Sequence, residues 1–171
     1  MTDKPRYYGK YRGMVINNVD PMQTNRIQIQ VPEVLGPSIS TWALPCVPFA
    51  GIQTGVFYFP PIGSAVWVEF EGGDADYPIW VGGFWANAGE IPALALAGPP
   101  GVQRFVVSLL AQTTLVISDV PGPTGGLLFK TTTGAMLMIN DTGITLSNGK
   151  GAMITMVGPT VTINAGALTI T

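Results

Sequence analysis

The chain has 171 residues with 8 Lys+Arg against 10 Asp+Glu, no His, one Cys, and charged residues at only 11% of the total. Lack of His removes every imidazole base or imidazole metal ligand, and the single Cys46 excludes a disulfide framework or a thiolate zinc site. A net charge of −2 argues against a nucleic-acid partner, which needs a basic face, and 47% apolar residues exclude disorder despite 22 Gly and 15 Pro.

The first eight residues, Met-Thr-Asp-Lys-Pro-Arg-Tyr-Tyr, are polar and lack the apolar core of a secretory signal. No apolar run approaches the roughly 20 residues of a membrane-spanning helix. The expectation is synthesis and assembly in the cytoplasm, with any later export by a route that reads no amino-terminal address.

Strand signals follow in chain order. Residues 11–19 are apolar and β-branched, and Asp20-Pro21 opens a turn. Arg-Ile-Gln-Ile-Gln-Val at 26–31 alternates strictly, placing Ile27, Ile29 and Val31 on one face, and Pro32 ends the run. Residues 42–47 form a third short strand, in which Cys46 reads as a small core residue. Residues 65–70 are the fourth strand and 78–84 the fifth, with Gly82 and Gly83 marking a bulge or bend. Five short strands with a long central connection suit a small closed barrel of the OB type.

The stretch 88–101 is rich in Pro, Gly and Ala and reads as a linker, dividing the chain into a barrel at 1–95 and a slender β region at 96–171. Beyond it, Thr-Leu-Val-Ile-Ser-Asp from Thr114 is echoed by Met-Leu-Met-Ile-Asn-Asp from Met136, an internal repeat at an offset of 22. Apolar–Thr–apolar triplets follow at 144–146, 154–156, 161–163 and 168–170. The last three start seven residues apart, which indicates stacked strands. Alternation puts Ile144, Leu146, Ile154, Met156, Val161, Ile163, Leu168 and Ile170 on an inner face, and Thr145, Thr155, Thr162 and Thr169 outside.

Burying two aliphatic side chains per seven-residue repeat falls short of the conformational cost of ordering it. A thin ribbon would also leave two open sheet edges. Three ribbons wound about one axis cover the apolar face and pair the edges, so a homotrimer is expected. A single-chain sandwich is the alternative. Against it stand the single charge within 142–171, Lys150, and few hairpin turns between long strands.

Tyr-Arg-Gly-Met-Val-Ile-Asn-Asn-Val-Asp-Pro at 11–21 and Asn-Arg-Ile-Gln-Ile-Gln-Val-Pro at 25–32 resemble the opening of the OB domain in spike proteins of contractile tails. Trp42-Ala, Phe-Pro-Pro-Ile-Gly at 59–63, Val-Trp-Val-Glu-Phe at 66–70, Gly73-Asp74, Pro78 and Gly82 continue that pattern in the same order. The second half is similar to the family's β-helical needle through Lys-Thr-Thr-Thr-Gly at 130–134, Met-Ile-Asn-Asp at 138–141 and Gly-Ile-Thr-Leu at 143–146. The family comprises phage baseplate assembly protein V, VgrG proteins and spikes of extracellular contractile injection systems.

The resemblance implies an all-β homotrimer, an OB barrel followed by an intertwined triple-stranded β-helix or β-prism needle. It implies a structural, non-enzymatic spike at the centre of a baseplate, with no cofactor. Implied partners are a separate trimeric hub protein, a PAAR-repeat tip protein, effector cargo and, transiently, the target membrane, so that the particle ends outside the cell or in the target envelope. The sequence departs from the family pattern in having no lysozyme-like insertion and no His-x-His near the tip, so cell-wall hydrolysis and an iron site are not implied, and the lack of a long amino-terminal hub domain leads to the expectation that the hub is a separate chain. Leu168, Thr169, Ile170 and Thr171 would leave an apolar end in water and read as the tip-partner interface.

Three other clusters have competing readings. Glu69, Glu71, Asp74 and Asp76 read as a solvated hairpin, since a calcium loop needs six or more compactly placed oxygens and a glycosidase needs a sugar cleft. Trp67, Phe70, Tyr77, Trp80, Phe84 and Trp85 read as core or subunit contacts. A base-stacking platform requires cations, and none lies between Ile27 and Gln103. The basic run Lys4, Arg6, Lys10 and Arg12, interleaved with Tyr7 and Tyr8, reads as a hub-docking arm. The alternative to the spike is an OB module for single-stranded nucleic acid or glycan, which salt-dependent binding would reveal.

Overall fold

The computed structural model describes residues 4–170. Contacts divide the chain into two compact units that meet between Ala88 and Gly89.

The first unit contains β1 (Tyr11–Asn17), β2 (Gln28–Gln30), a one-turn helix α1 (Pro32–Leu35), β3 (Leu44–Pro45), the small pair β4 (Ala50–Gly51) and β5 (Thr54–Gly55), β6 (Ala65–Phe70) and β7 (Pro78–Gly83). Five of these form one sheet in the order β2-β1-β6-β7-β3, antiparallel except for β3 against β7. An antiparallel bridge between Ile27 and Ala43 joins the two outer strands and curls the sheet into an OB-type barrel.

The alternation expected of 26–31 holds, because Ile27, Ile29 and Val31 are fully buried and meet Val15, Val66, Val68, Phe70 and Trp80 in the core. Gly13 has no side chain because β1 passes tightly over the core; a Cβ there would press into Ile29 Cγ2 and Val68 Cγ2. The expected bulge lies between β6 and β7, where Trp67 pairs with Gly82 and Val68 with Trp80, leaving Val81 out of register. Cys46 is exposed, contrary to its reading as a core residue. It follows β3 on the outward phase of the alternation that buries Ala43, and only its backbone N–H, bonded to the Trp80 carbonyl, faces the sheet.

The second unit is a single antiparallel meander. Its strands are β8 (Arg104–Ser108), β9 (Thr114–Ser118), β10 (Gly126–Lys130), β11 (Met136–Asn140), β12 (Gly143–Ser147), β13 (Met153–Val157), β14 (Thr160–Ile163) and β15 (Leu168–Ile170), paired in chain order. The internal repeat noted at Thr114 and Met136 corresponds to β9 and β11.

Hairpins connect every successive pair, so the expectation of few hairpin turns is overturned. The strands are only three to five residues long, and two-residue links such as Asp141-Thr142 and Gly158-Pro159 suffice to reverse the chain. Ahead of β8, the Arg104 guanidinium donates to the carbonyls of Ala95 (3.1 Å) and Pro99 (2.8 Å) and holds the linker on the sheet.

Candidate self-association surface

Register turns the short apolar motifs of the second unit into two continuous ladders. In one, Val107, Leu115, Phe129, Leu137, Leu146, Ile154, Ile163 and Leu168 are successive cross-strand neighbours. In the other run Phe105, Ile117, Leu127, Ile139, Ile144, Met156 and Val161, and the register sets Ile170 beside Val161. Residues two apart in a strand share a face, so both ladders lie on the same side of the sheet.

That side is in large part open among the described residues of the unit. Phe105 is 57% exposed, and Phe129 and Leu146 are each 51% exposed. A groove of about 480 Å³ opens on it between Val107, Leu115, Phe129, Leu137 and Leu146, with Lys130 at its margin. An uncharged aliphatic and aromatic surface of this extent is the mark of a surface that another protein covers.

The opposite side carries one central row that changes character along the sheet. Val106, Val116, Leu128 and Met138 occupy its first half; Thr145, Thr155 and Thr162 succeed them, with Thr169 next in register. The Thr155 and Thr162 hydroxyls hydrogen-bond to each other.

Of the residues named from the sequence, Ile144, Leu146, Ile154, Met156, Val161, Ile163 and Leu168 all fall on the apolar side. The structure adds the equivalent positions of β8–β11, which adjoin them only through strand register. Their signal was the apolar second and fourth residue of each five-residue strand. At the far end, Leu168 is half-exposed. Thr169 and Ile170 belong to β15 by backbone pairing, and Thr171 lies outside the described residues.

The basic and acidic clusters of the first unit prove to be partners. Lys4 Nζ lies 2.8 Å from Asp76, Arg6 lies 3.7 Å from Asp74 and donates to the Gly72 carbonyl, and Lys10 pairs with Glu69. Tyr7 donates its backbone N–H to Gly73 and packs with Tyr11 and Phe70. Tyr8 remains exposed.

Arg12 lies over Trp67 and Phe84, whose ring centroids are 4.6 Å apart. Of the six aromatic residues, Phe70 and Trp80 are core, whereas Tyr77 and Trp85 are exposed. Tyr77 lies in the β6–β7 turn and Trp85 beyond the end of β7, so neither takes part in the strand alternation.

A small barrel followed by an edge-to-edge β meander with one bare apolar side defines a class: β-structured proteins that become complete only on self-association. Residues 11–85 match the type VI secretion system/phage-baseplate injector OB domain, and residues 105–169 match the phage baseplate V C-terminal trimerisation domain. Comparison with curated proteins finds no match. With both domains present in the family's order, the chain belongs to the phage baseplate V and VgrG-like spike family and is a structural component of such a baseplate.

Proposed function

We propose that three copies of this chain form the central spike of a contractile injection machine, the barrel as its base and the β meander as its needle. Contraction of the surrounding sheath would drive the needle mechanically into a target envelope. The observation that carries this reading is the pair of uninterrupted apolar ladders within the region that matches a trimerisation domain. A rigid shaft follows from short strands with paired backbones around a dry axis. No group of the chain is assigned a chemical step.

The far end supports a capping partner, because the half-exposed Leu168 would otherwise present an apolar tip to water. A PAAR-repeat tip protein fits that place, and effector cargo would travel with it. The base would sit on a separate trimeric hub, through the arm that carries Lys4, Arg6, Tyr7, Tyr8, Lys10 and Arg12. That arm is fastened along the barrel and turns Tyr8 outward.

The mass of the purified chain in solution tests the core of the reading. About three times 18.0 kDa is expected, and Ile163→Asp should reduce it to one chain, because three unpaired carboxylates cannot share a dry axis. A single-chain mass for the natural sequence, or an unchanged trimer in the variant, overturns it.

A further inference from the structure

A cavity of about 360 Å³ lies in the first unit, between the β1–β2 loop and the β4–β5 hairpin. Its size is that of a small-molecule pocket. Both walls are fixed in advance. The Asp20 carboxylate holds the β1–β2 loop by accepting the backbone N–H groups of Met22 and Thr24, and the hairpin pairs Ala50 with Gly55 and Gly51 with Thr54. Gln23, Asn25 and Gln53, which all line the cavity, have positive φ of 55°, 65° and 57°. Residues other than glycine hold that conformation at a cost, and such residues cluster at ligand clamps.

Asn25 supplies the second sign. It is only 7% exposed, and its backbone carbonyl accepts the Trp80 Nε1–H at 3.1 Å. Its Oδ1, however, is buried with no hydrogen-bond partner among the described residues. An amide oxygen buried without a donor is costly, and a donor that enters from the cavity removes the cost.

The lining chemistry narrows what can bring that donor. No residue of the lining is charged. A phosphate, a carboxylate or a nucleic-acid strand would find no cation there, and a metal ion no carboxylate. A wholly apolar ligand would leave Asn25 Oδ1 unpaired. Gln53 and Thr54 add an amide and a hydroxyl, while Val47 and Phe57 add apolar surface. Phe57 is 67% exposed and meets Phe59 edge to face, with ring centroids 6.2 Å apart. An aromatic face attracts the polarised C–H groups of a sugar ring, and amides and hydroxyls pair with its O–H groups.

We infer that this cavity binds a neutral saccharide, one hydroxyl of which donates to Asn25 Oδ1 while a face of the sugar ring rests on Phe57. The inference concerns the barrel alone and goes beyond the spike reading, on which it does not depend.

Titration of the full chain with lactose, maltose, cellobiose and chitobiose, followed by calorimetry and by saturation-transfer NMR, tests it. At least one of these sugars should bind, with an affinity independent of salt, because no charge takes part. Phe57→Ala changes an exposed ring outside the core and should weaken that binding about tenfold or more. Asn25→Gly keeps the positive φ, removes the amide and should have the same effect. Inorganic phosphate should not compete. Absence of binding by every sugar tried overturns the inference. So does binding that either folded variant leaves unchanged, and so does competition by phosphate. If Asn25→Gly does not fold, Phe57→Ala alone decides.

Discussion

The Arg26 guanidinium closes on Asp20, with Nη2 2.6 Å from Oδ1 and Nε 3.2 Å from both carboxylate oxygens. The same carboxylate accepts backbone N–H groups from Met22, Thr24 and Arg26. It thus organises the loop that delivers Ile27 to the core, while Arg26 also lies over the Trp42 ring.

This arrangement gives a pH prediction. The Arg26 guanidinium, helped by those N–H groups against the opposing effect of burial, holds the Asp20 carboxyl well below its ordinary value of 3.8. A depressed carboxylate stabilises the fold fully above the unfolded value, and that stabilisation fades as pH falls toward the folded one. Asp20→Asn should lower the denaturant midpoint of the barrel at pH 7, and the gap from the natural protein should narrow below about pH 4. Denaturant titrations at several pH values check both points; a gap independent of pH would remove Asp20 from this role.

Gly13→Ala should destabilise the barrel by about 1–3 kcal/mol, since the added methyl meets Ile29 and Val68 in a filled core. Ile27→Ala at a fully buried site should cost about 2–5 kcal/mol through the cavity it leaves. Urea unfolding followed by tryptophan fluorescence measures both.

The two sides of the meander should respond differently. Phe129→Ala removes a ladder ring and should shift the monomer–trimer equilibrium toward monomer by about 3–5 kcal/mol per chain, if its burial in the trimer is complete. Thr145→Ala, on the other side, should leave that equilibrium unchanged. Sedimentation equilibrium over a dilution series separates them, and equal effects would contradict the assignment of faces.

Lys10→Gln should alter stability by no more than about 0.2–1 kcal/mol, as is usual for an exposed ion pair, and the effect should vanish in high salt. Removal of residues 168–171 should leave the trimer intact yet abolish capture of a PAAR-repeat tip protein in a co-purification. Retained capture would move the tip interface elsewhere.

Much of the molecule was legible locally. Strict alternation at Ile27, Ile29 and Val31 announced a buried face, and the Gly82-Gly83 pair announced the β6–β7 bulge. Other features were not. The salt links of Lys4 to Asp76 and Lys10 to Glu69 join residues far apart in sequence, so two clusters that looked separate are one. The exposure of Cys46 depended on the phase of a strand only two residues long, too short for periodicity to declare.

The amino-acid order alone determined which side chains share a face, because a strand's side chains alternate whatever its neighbours are. Thus Ile144 and Leu146 were bound to lie together, opposite Thr145. Only the tertiary structure decided that their face continues through Leu137 and Phe129 to Val107, and that Ile27 meets Ala43 to close the barrel. Those relations depend on register, which is set by hydrogen bonds between strands and by turn length, and no local pattern carries that information.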